Sequence, residues 1–269
     1  YEVYAGIVKK LKGKNITIRT VDLGVDKNPR WFGQNGTPNG SLNPALGLTG
    51  IRLCLAEPVM FRTQMRAILR AAAHGPVRMM WPMITSISEV RQCLIHLDTA
   101  QRQLTERGET FGPVSIGCMI EIPSAAMTVG SILKLVDFVS IGTNDLIQYL
   151  LSVDRGDDSV SHLYQPGHPA VLKTLQHIIR TANRMEKGVS ICGEMAGDTV
   201  FTRLLLGMGL RRFSMNPNNL LSVKNIILHS HTGHLENDAA KILRCEDPEK
   251  AEKLIKILNQ SEQAESQAV

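Results

Sequence analysis

The sequence has few aromatic residues, few cysteines and no long apolar run. Phe, Trp and Tyr make up 4% of its 269 residues. The five cysteines are an odd number without C-x-x-C spacing, so the sequence encodes neither a disulfide framework nor a structural zinc site of that kind. No uninterrupted apolar stretch approaches the ~20 residues that cross a bilayer. These absences predict a soluble protein without membrane insertion, located in a reducing compartment such as the cytoplasm.

Composition narrows the class further. Hydrophobic residues make up 43% and charged residues 20%, which excludes a disordered chain, a collagen and a disulfide-stapled miniprotein. The net charge is +5, from 30 Lys and Arg against 25 Asp and Glu, but the basic residues are scattered. A nucleic-acid partner is therefore not expected, since an anionic small substrate explains the arginines equally well. The length fits one or two domains, or a single α/β barrel.

Short apolar runs alternate with longer amphipathic ones along the chain. The predicted strands are Asn15–Leu23, Gly50–Leu55, Val77–Ile84, Ser115–Ile122, Phe138–Thr143, Val189–Cys192 and Arg212–Met215. The predicted helices are Glu57–Ala73, Ser86–Arg107, Ser124–Leu135, Pro169–Glu186 and Asp198–Gly207. Ser86 and Glu89 have the spacing of a capping box, which predicts that a helix begins there. The alternation indicates an α/β fold, either a barrel or an open doubly wound sheet.

Three segments fall outside this alternation. Residues 31–48 are rich in Gly, Asn and Pro and predict a long loop, of the kind that forms a binding lid or is disordered. Residues 261–269 predict a polar, disordered tail, so the folded domain is predicted to span residues 1–260. The first residue is Tyr1 rather than Met and no signal peptide follows, so we expect the chain to be the C-terminal part of a longer one.

Polar side chains collect where the predicted strands end. They are Arg19, Asp22, Arg52, Glu121, Asn144, Asp145, Cys192, Glu194 and Asn216. In a βα barrel the chemistry gathers at the C-terminal ends of the strands. Two carboxylates there could share a hard cation such as Mg²⁺, and arginines supply planar forks for phosphate or carboxylate oxygens. The pattern favours a metal-assisted reaction on an anionic phosphorylated substrate, with ordinary salt bridges at a barrel rim as the alternative.

One nineteen-residue motif is specific to a family. Residues 137–155, DFVSIGTNDLIQYLLSVDR, closely resemble the signature of the phosphoenolpyruvate-utilising enzymes. Six further blocks match in order: Arg19–Lys27, Asn43–Gly47, Arg66–Arg70, Glu121–Ala126, His162–Pro166 and Cys192–Gly197. Together these blocks resemble the C-terminal domain of enzyme I of the phosphoenolpyruvate–sugar phosphotransferase system, or of its nitrogen-regulatory paralogue. The resemblance runs from about Ile18 to Asn216.

The resemblance implies a fold and a reaction. It implies a (β/α)8 TIM-type barrel that lacks its first strand here, because that strand would precede Tyr1; the seven predicted strands agree with this. It also implies that the barrel binds phosphoenolpyruvate and Mg²⁺. The phosphoryl group then passes to a histidine on a separate N-terminal domain and onward to a small histidine phosphocarrier protein. The barrel domain of the family also carries a homodimer interface.

The resemblance assigns roles to individual residues. Glu121 and Asp145 match the Mg²⁺ ligands, with rim carboxylates bonded to lysines as the alternative. Asn144 matches an amide that contacts the substrate, although Asn-Asp also suits a strand-to-helix turn. Cys192 matches the proton donor to C3 of enolpyruvate; a lone cysteine is ordinarily a small core residue, and the other four are interpreted as core.

Two arginines complete the implied substrate site. Arg155 matches an arginine that contacts the substrate; it lies ten residues after Asp145, so a helical turn must bring it back to the strand end. The alternative is a surface salt bridge with Asp154 or Asp157. Arg19 matches a phosphate-binding arginine, with pairing to Asp22 alone as the competing interpretation.

The sequence also departs from the family pattern. The opening strand would have supplied an arginine, and Thr49 stands where the family has another phosphate-binding arginine; Arg52 is a partial replacement. Val25 replaces a small residue, a milder change. A charge-assisted hydrogen bond is worth ~1.5–3 kcal/mol, so the loss of two arginines would weaken phosphate binding substantially. The second hypothesis is therefore a catalytically impaired homologue that acts as a dimerisation or ligand-sensing module.

Two further alternatives concern the family branch and a second metal. A relative of pyruvate phosphate dikinase or phosphoenolpyruvate synthase is the third hypothesis, ranked lower because the His162–Pro166 block resembles enzyme I more closely. Residues 229–234, HSHTGH, could form a zinc cluster, but they lack carboxylate or cysteine company.

Overall fold

The computed structural model describes residues 1–22 and 44–267, with side chains for residues 1–22 and 45–260. Five strands form one sheet in the order of the sequence: β1 (Ile16–Arg19), β2 (Val77–Trp81), β3 (Val114–Ile120), β4 (Phe138–Gly142) and β5 (Gly188–Cys192). The first two pairings are parallel, with Ile16 opposite Val77 and Val77 opposite Val114. The prediction of an α/β fold with a parallel sheet is confirmed. Within the described ranges the sheet has five strands, so closure into an eight-stranded barrel stays a prediction.

The chain divides into two compact units, Tyr1–Met119 with Lys134–Phe138, and Ile120–Leu133 with Val139–Val269. The single domain predicted for residues 1–260 stays a prediction. No helix in the described part of the chain is long and apolar enough to cross a membrane.

The first unit packs its helices around large apolar side chains. The helices are α1 (Glu2–Lys10), α2 (Gly50–Ala56), α3 (Pro58–Ala72) and α4 (Ile87–Glu106), with a 3-10 turn at Pro44–Leu46. Phe61, Met65, Trp81 and Leu104 are fully buried in this core. Burial of side chains of this size stabilises the fold by ~1.5–3 kcal/mol each.

Helix α4 begins with the capping box that the sequence predicts. The Glu89 amide donates to Ser86 Oγ over 3.5 Å, and the Ser86 amide donates to Glu89 Oε2 over 3.1 Å. The Thr85 amide also donates to Glu89 Oε2, over 2.6 Å. These contacts satisfy amides that the first turn of a helix would otherwise leave without partners.

The strand predicted over Gly50–Leu55 is wrong, because this segment is helix α2. Its buried residues include Ile51, Leu53 and Cys54, whereas Arg52 is only partly buried. A short, mostly apolar segment does not distinguish a buried strand from a buried helix by periodicity. The helix also explains why Gly50 is present: its φ is +54°, a left-handed conformation that glycine adopts without strain.

Most of the helices in the described residues lie in the second unit. They are α5 (Pro123–Met127), α6 (Val129–Leu133), α7 (Thr143–Leu151), α8 (Pro169–Arg184), α9 (Glu194–Gly197), α10 (Thr199–Gly207), α11 (Leu220–Leu228), α12 (Thr232–Leu243) and α13 (Pro248–Gln267), with 3-10 turns at Ser161–Leu163 and Pro217–Asn219. The strand predicted over Arg212–Met215 is reduced to one parallel bridge between Ile191 and Phe213. The helix predicted over Ser124–Leu135 is divided into α5 and α6 at Thr128.

The last helix is tied to α10. The Asn259 side chain donates to the Val200 carbonyl over 2.9 Å, and Arg203 Nη1 donates to Asn259 Oδ1 over 3.2 Å. The predicted tail, residues 261–269, begins within α13, and its disorder stays a prediction.

Candidate functional site

In the second unit, polar side chains follow three strands where each strand ends. Glu121 comes directly after β3 and is fully buried. Asn144 and Asp145 lie in the first turn of α7, directly after β4, and Cys192 is the last residue of β5. This is the placement that the sequence predicts for a site at the C-terminal ends of parallel strands.

The ends of β4 and β5 are joined by hydrogen bonds. Thr143 Oγ1 donates to the Cys192 carbonyl over 2.8 Å, and the Glu194 amide donates to Asn144 Oδ1 over 2.8 Å. Gly193, which lies between Cys192 and Glu194 in the chain, has φ +90° and ψ −174°. Asn144 therefore acts as a structural tie through its side-chain oxygen, and its amide nitrogen is the part suited to a substrate oxygen.

Helix α7 ends in a way that returns Arg155 to Asp145. Ser152 adopts a left-handed conformation with φ +54°, and the Arg155 amide donates to Gln148 Oε1 over 3.3 Å. The guanidinium Nη2 then lies 3.7 Å from Asp145 Oδ1. This fold-back is the one that the ten-residue spacing required, and among the described residues the ion pair of Arg155 is with Asp145 rather than with Asp154 or Asp157.

Tyr164 also belongs to this arrangement, although the sequence motifs alone did not identify it as a site residue. Its hydroxyl donates to the Asn144 carbonyl over 3.3 Å. Burial raises the pKa of Tyr164 to about 12, reinforced by Glu194 and Asp145 and opposed by Arg155. The phenol is therefore protonated at neutral pH and holds the Asn144 backbone. Its presence in the His162–Pro166 block was the signal that could have identified it.

The thiol of Cys192 is held between two groups of β4. Ser140 Oγ donates to Cys192 Sγ over 3.6 Å, and Cys192 Sγ donates to the Ile141 carbonyl over 3.4 Å. Cys192 is partly exposed, whereas the other four cysteines, Cys54, Cys93, Cys118 and Cys245, are buried. Their interpretation as core residues is confirmed.

Burial also makes the thiols of the first unit poor nucleophiles. It raises the pKa of Cys54 to about 12 and the pKa values of Cys93 and Cys118 well above the ordinary value. A thiol must ionise to react, so these three are inert near neutral pH.

In the first unit, the two predicted substrate arginines already have partners. Arg19 Nη1 lies 3.1 Å from Asp22 Oδ2 and 3.8 Å from Met119 Sδ. Arg52 Nη1 donates to the carbonyls of Leu46 and Gly47, over 2.7 and 3.3 Å. One nitrogen of Arg52 is thus used to hold the segment that leads into α2. The roles of Arg19 and Arg52 in binding a substrate stay predictions.

Thr49 is the N-cap residue of α2, but its side chain makes no capping hydrogen bond. Val25, Lys27 and residues 31–43 of the predicted loop lie outside the described residues. Asn216 serves as a turn residue, because its Oδ1 accepts the Asn218 amide over 3.0 Å.

The histidines of residues 229–234 do not form a metal site. Across residues 1–22 and 44–267, no group of three or more His, Cys, Asp or Glu side chains could hold a metal ion. His229 Nδ1 instead contacts the Asn225 carbonyl over 2.8 Å, and the rings of His231 and His234 have centroids 6.0 Å apart. Mg²⁺ differs from zinc here, because it commonly takes one or two protein carboxylates and completes its shell with water and phosphate.

The PEP-binding domain of the PEP-utilising enzymes matches residues 1–232. The chain belongs to this family. The match confirms the resemblance that the residue motifs indicate, and it covers the first unit and the second unit as far as residue 232.

Three similar proteins share one name. The phosphoenolpyruvate-protein phosphotransferase of Cupriavidus necator is 51% identical over 250 residues, which are 93% of this chain and 42% of that protein. Those of Bacillus subtilis and Staphylococcus carnosus are each 38% identical, over 95% of this chain and 44% of theirs. The chain thus spans less than half the length of these family members. Among solved structures, a citrate lyase from Burkholderia xenovorans aligns at 16% identity with a TM-score of 0.45, over 76% of this chain and 69% of that one, which is too low to inform function.

Proposed function

We propose that the chain is the phosphoenolpyruvate-binding part of a phosphoenolpyruvate-protein phosphotransferase. The observation that carries the proposal is the arrangement at the ends of β4 and β5, where Arg155 pairs with Asp145 and Asn144 is tied to the segment after Cys192. All four residues lie in motifs of the PEP-utilising family, and three similar proteins bear the name of this activity.

The charges at this site suit a phosphorylated carboxylic acid. Arg155 is 41% exposed at its side chain, so its guanidinium can bind an anion while it remains near Asp145. Guanidinium forks bind phosphate and carboxylate oxygens through paired hydrogen bonds. Arg19, at the end of β1, is the second proposed phosphate ligand, and Arg52 is a third, since its hydrogen bonds to Leu46 and Gly47 use only Nη1.

The donor set also fits Mg²⁺. Glu121 and Asp145 provide two carboxylates, and this number, with phosphate oxygens and water, is what Mg²⁺ uses in phosphoryl-transfer sites. When bound, the ion would neutralise charge on the phosphoryl oxygens as the P–O bond loosens. Asp145 is 32% exposed at its side chain and therefore reachable by the ion together with a substrate.

Cys192 supplies the proton that completes the reaction. Once the phosphoryl group leaves phosphoenolpyruvate, the S–H bond of Cys192 breaks, and its proton joins C3 of the enolate to give pyruvate. The Cys192 Sγ donates to the Ile141 carbonyl over 3.4 Å, and this contact would have to be exchanged for the substrate carbon. The Ser140 hydroxyl donates to the sulfur and would stabilise the thiolate that remains, before water restores its proton.

The proposal includes partners that the family resemblance implies. The phosphoryl acceptor is a histidine on an N-terminal domain of the whole protein, which passes the group to a histidine phosphocarrier protein. The whole protein is proposed to be a cytoplasmic homodimer.

Calorimetric titration of phosphoenolpyruvate into the chain tests the proposal. We expect binding in the presence of Mg²⁺, weakened at least ~10-fold in Arg155→Gln, because a charged hydrogen bond to phosphate is worth ~1.5–3 kcal/mol. Arg184→Gln, in the last turn of α8, is the matched control and should bind like the unmodified chain. Equal binding by the two variants, or none by the unmodified chain, would contradict the assignment.

The second candidate function, an impaired homologue, is favoured by one observation. Thr49 brings no charge to the place where the family has an arginine, and Arg52 Nη1 is already bonded to two backbone carbonyls.

We expect Thr49→Arg to tighten phosphoenolpyruvate binding by ~1–2 kcal/mol, a charged hydrogen bond discounted for side-chain ordering. The substitution should leave α2 intact, since the Thr49 side chain makes no capping bond. Calorimetry of Thr49→Arg beside Thr49→Gln, which is long but uncharged, separates charge from reach. Equal or weaker affinity in Thr49→Arg would mean that Thr49 does not impair the site.

A further inference from the structure

Helix α3 carries three arginines spaced one helical turn apart, and each faces α4 or the residues just after it. Arg62 Nη1 lies 3.3 Å from His96 Nδ1. Arg66 Nη1 donates to Gln103 Oε1 over 2.6 Å. Four residues on, Arg70 Nε lies 2.6 Å from Glu109 Oε2. The three contacts run in the same direction along both helices, and we call this line of side chains the α3–α4 seam.

Only one of the three arginines is neutralised. Arg70 has the carboxylate of Glu109, whereas Arg62 meets a histidine and Arg66 meets an amide and, over 2.9 Å, the Thr63 hydroxyl. Among the side chains of residues 1–22 and 45–260, no carboxylate lies within 4.0 Å of the guanidinium groups of Arg62 or Arg66. Arg62 and Arg66 therefore carry positive charge without an acidic partner among these side chains.

A further arginine adds to this charge. Partial burial lowers the pKa of Arg66, and the positive charges of Arg107 and then Arg62 lower it further, with only Glu109 opposing them. Arg107 follows the last turn of α4 and is exposed. Its guanidinium makes no hydrogen bond or ion pair with any described residue. Arg107 lies one helical turn after Gln103, to which Arg66 donates, so the positive charges of Arg107 and Arg62 both act on the Arg66 guanidinium.

A structural role in holding α3 against α4 explains only some of these arginines. The Arg66–Gln103 bond holds α3 against α4, but Arg107 contributes nothing to that contact. Like charges held close together destabilise a folded chain, and a bound anion removes the cost. Free Nη and Nε hydrogens on several guanidinium groups form the fork geometry that tetrahedral oxyanions accept.

We propose that the α3–α4 seam binds a small oxyanion of the phosphate class through Arg62, Arg66 and Arg107. These residues are distinct from the ones proposed to bind phosphoenolpyruvate, so the proposal stands independently of that function. It also gives a role to Arg66, which lies in the Arg66–Arg70 motif block and has no part in the proposed reaction.

The test is calorimetric titration of inorganic pyrophosphate into the protein without divalent metal. We expect binding by the unmodified protein, weakened at least ~10-fold in Arg62→Gln/Arg66→Gln, since two charged hydrogen-bonding groups are lost. The control, Arg91→Gln/Arg102→Gln, removes the same charge from exposed positions of α4 and should change the affinity less than ~2-fold. If both pairs weaken binding equally, or the unmodified protein does not bind, the proposal is wrong.

Two further variants make the result unambiguous. Arg107→Gln removes an exposed side chain without a described contact, so it should fold normally and weaken binding ~3-fold or more by loss of one charge. Unchanged affinity in Arg107→Gln would overturn the proposed set of ligands. Arg155→Gln should leave pyrophosphate binding intact; loss of binding there would mean that pyrophosphate occupies the proposed phosphoenolpyruvate site instead.

Discussion

Replacing Asp145 with asparagine is expected to lower the rate of phosphoryl transfer from phosphoenolpyruvate by about 10³-fold, measured on the whole protein that contains this chain. The change keeps the size and shape of the side chain but removes its charge. It removes a proposed metal ligand, and the electrostatic stabilisation that a metal ion gives a phosphoryl group is worth several kcal/mol, or about three decades of rate. It also removes the partner of Arg155, whose guanidinium lies 3.7 Å away.

The matched control is Asp238→Asn. Asp238 is a partly exposed aspartate of α12 that pairs with Lys241 over 2.7 Å, so it undergoes the same chemical change in the same unit. We expect its rate to remain within ~2-fold, because exposed ion pairs contribute little. Asp145→Asn should also require more Mg²⁺ for half-maximal rate. A rate near that of the unmodified protein, with unchanged Mg²⁺ dependence, would remove Asp145 from the proposed metal site.

Gly193→Ala is expected to abolish measurable phosphoenolpyruvate binding and to destabilise the fold by ~2–3 kcal/mol. Gly193 has φ +90°, where a residue with a Cβ is strained by ~1–3 kcal/mol. The added carbon would also collide with Thr143 Oγ1 and lie 2.7 Å from Asn144 Oδ1. Both oxygens belong to the bonds that join the ends of β4 and β5, so the strain would act directly on the candidate site. Calorimetry gives the affinity, and urea denaturation gives the free energy of unfolding.

Gly130→Ala provides the comparison for this change. Gly130 lies in α6, and a Cβ there would meet only Thr181 Cγ2, at an ordinary 3.6 Å. Alanine is favoured over glycine inside helices, so this variant should be neutral or up to ~1 kcal/mol more stable and should bind normally. Should Gly193→Ala behave like Gly130→Ala, the turn between Cys192 and Glu194 would not be constrained as described.

Local signals in the sequence were sufficient to predict an element where short-range interactions or continuous burial determine it. The Ser86–Glu89 capping box fixed the start of α4 because both bonds form within four residues. The central strands were also predictable, since β3 and β4 are almost wholly buried and read as continuous apolar runs. Helix α2 was mispredicted because its short apolar segment satisfies either periodicity.

The residues of the candidate site could be predicted from the sequence, but the hydrogen bonds that hold them in place could not. The motif indicated Asn144, Asp145 and Arg155, and the ten-residue spacing indicated the return of Arg155. The partners of Cys192 and the role of Tyr164 depend on contacts between residues far apart in the chain, over 52 and 20 positions for the Ser140 and Asn144 bonds. The first contact depends on β4 and β5 being neighbours in the sheet, and the second on the position of the turn at Ser161–Leu163; no local pattern specifies either.

The order of the strands has a consequence for how the chain folds. Ile16 pairs with Val77, and Val77 pairs with Val114. The segment between the two strands of each pair contains at least one helix. No hairpin is available to start this part of the sheet, because parallel neighbours cannot be joined by a tight turn. The loss of chain entropy on closing such long loops comes before any sheet contact compensates for it. We therefore expect helices such as α4, whose capping box forms within four residues, to form before the distant strands pair, and the pairing of those strands to be the slower step.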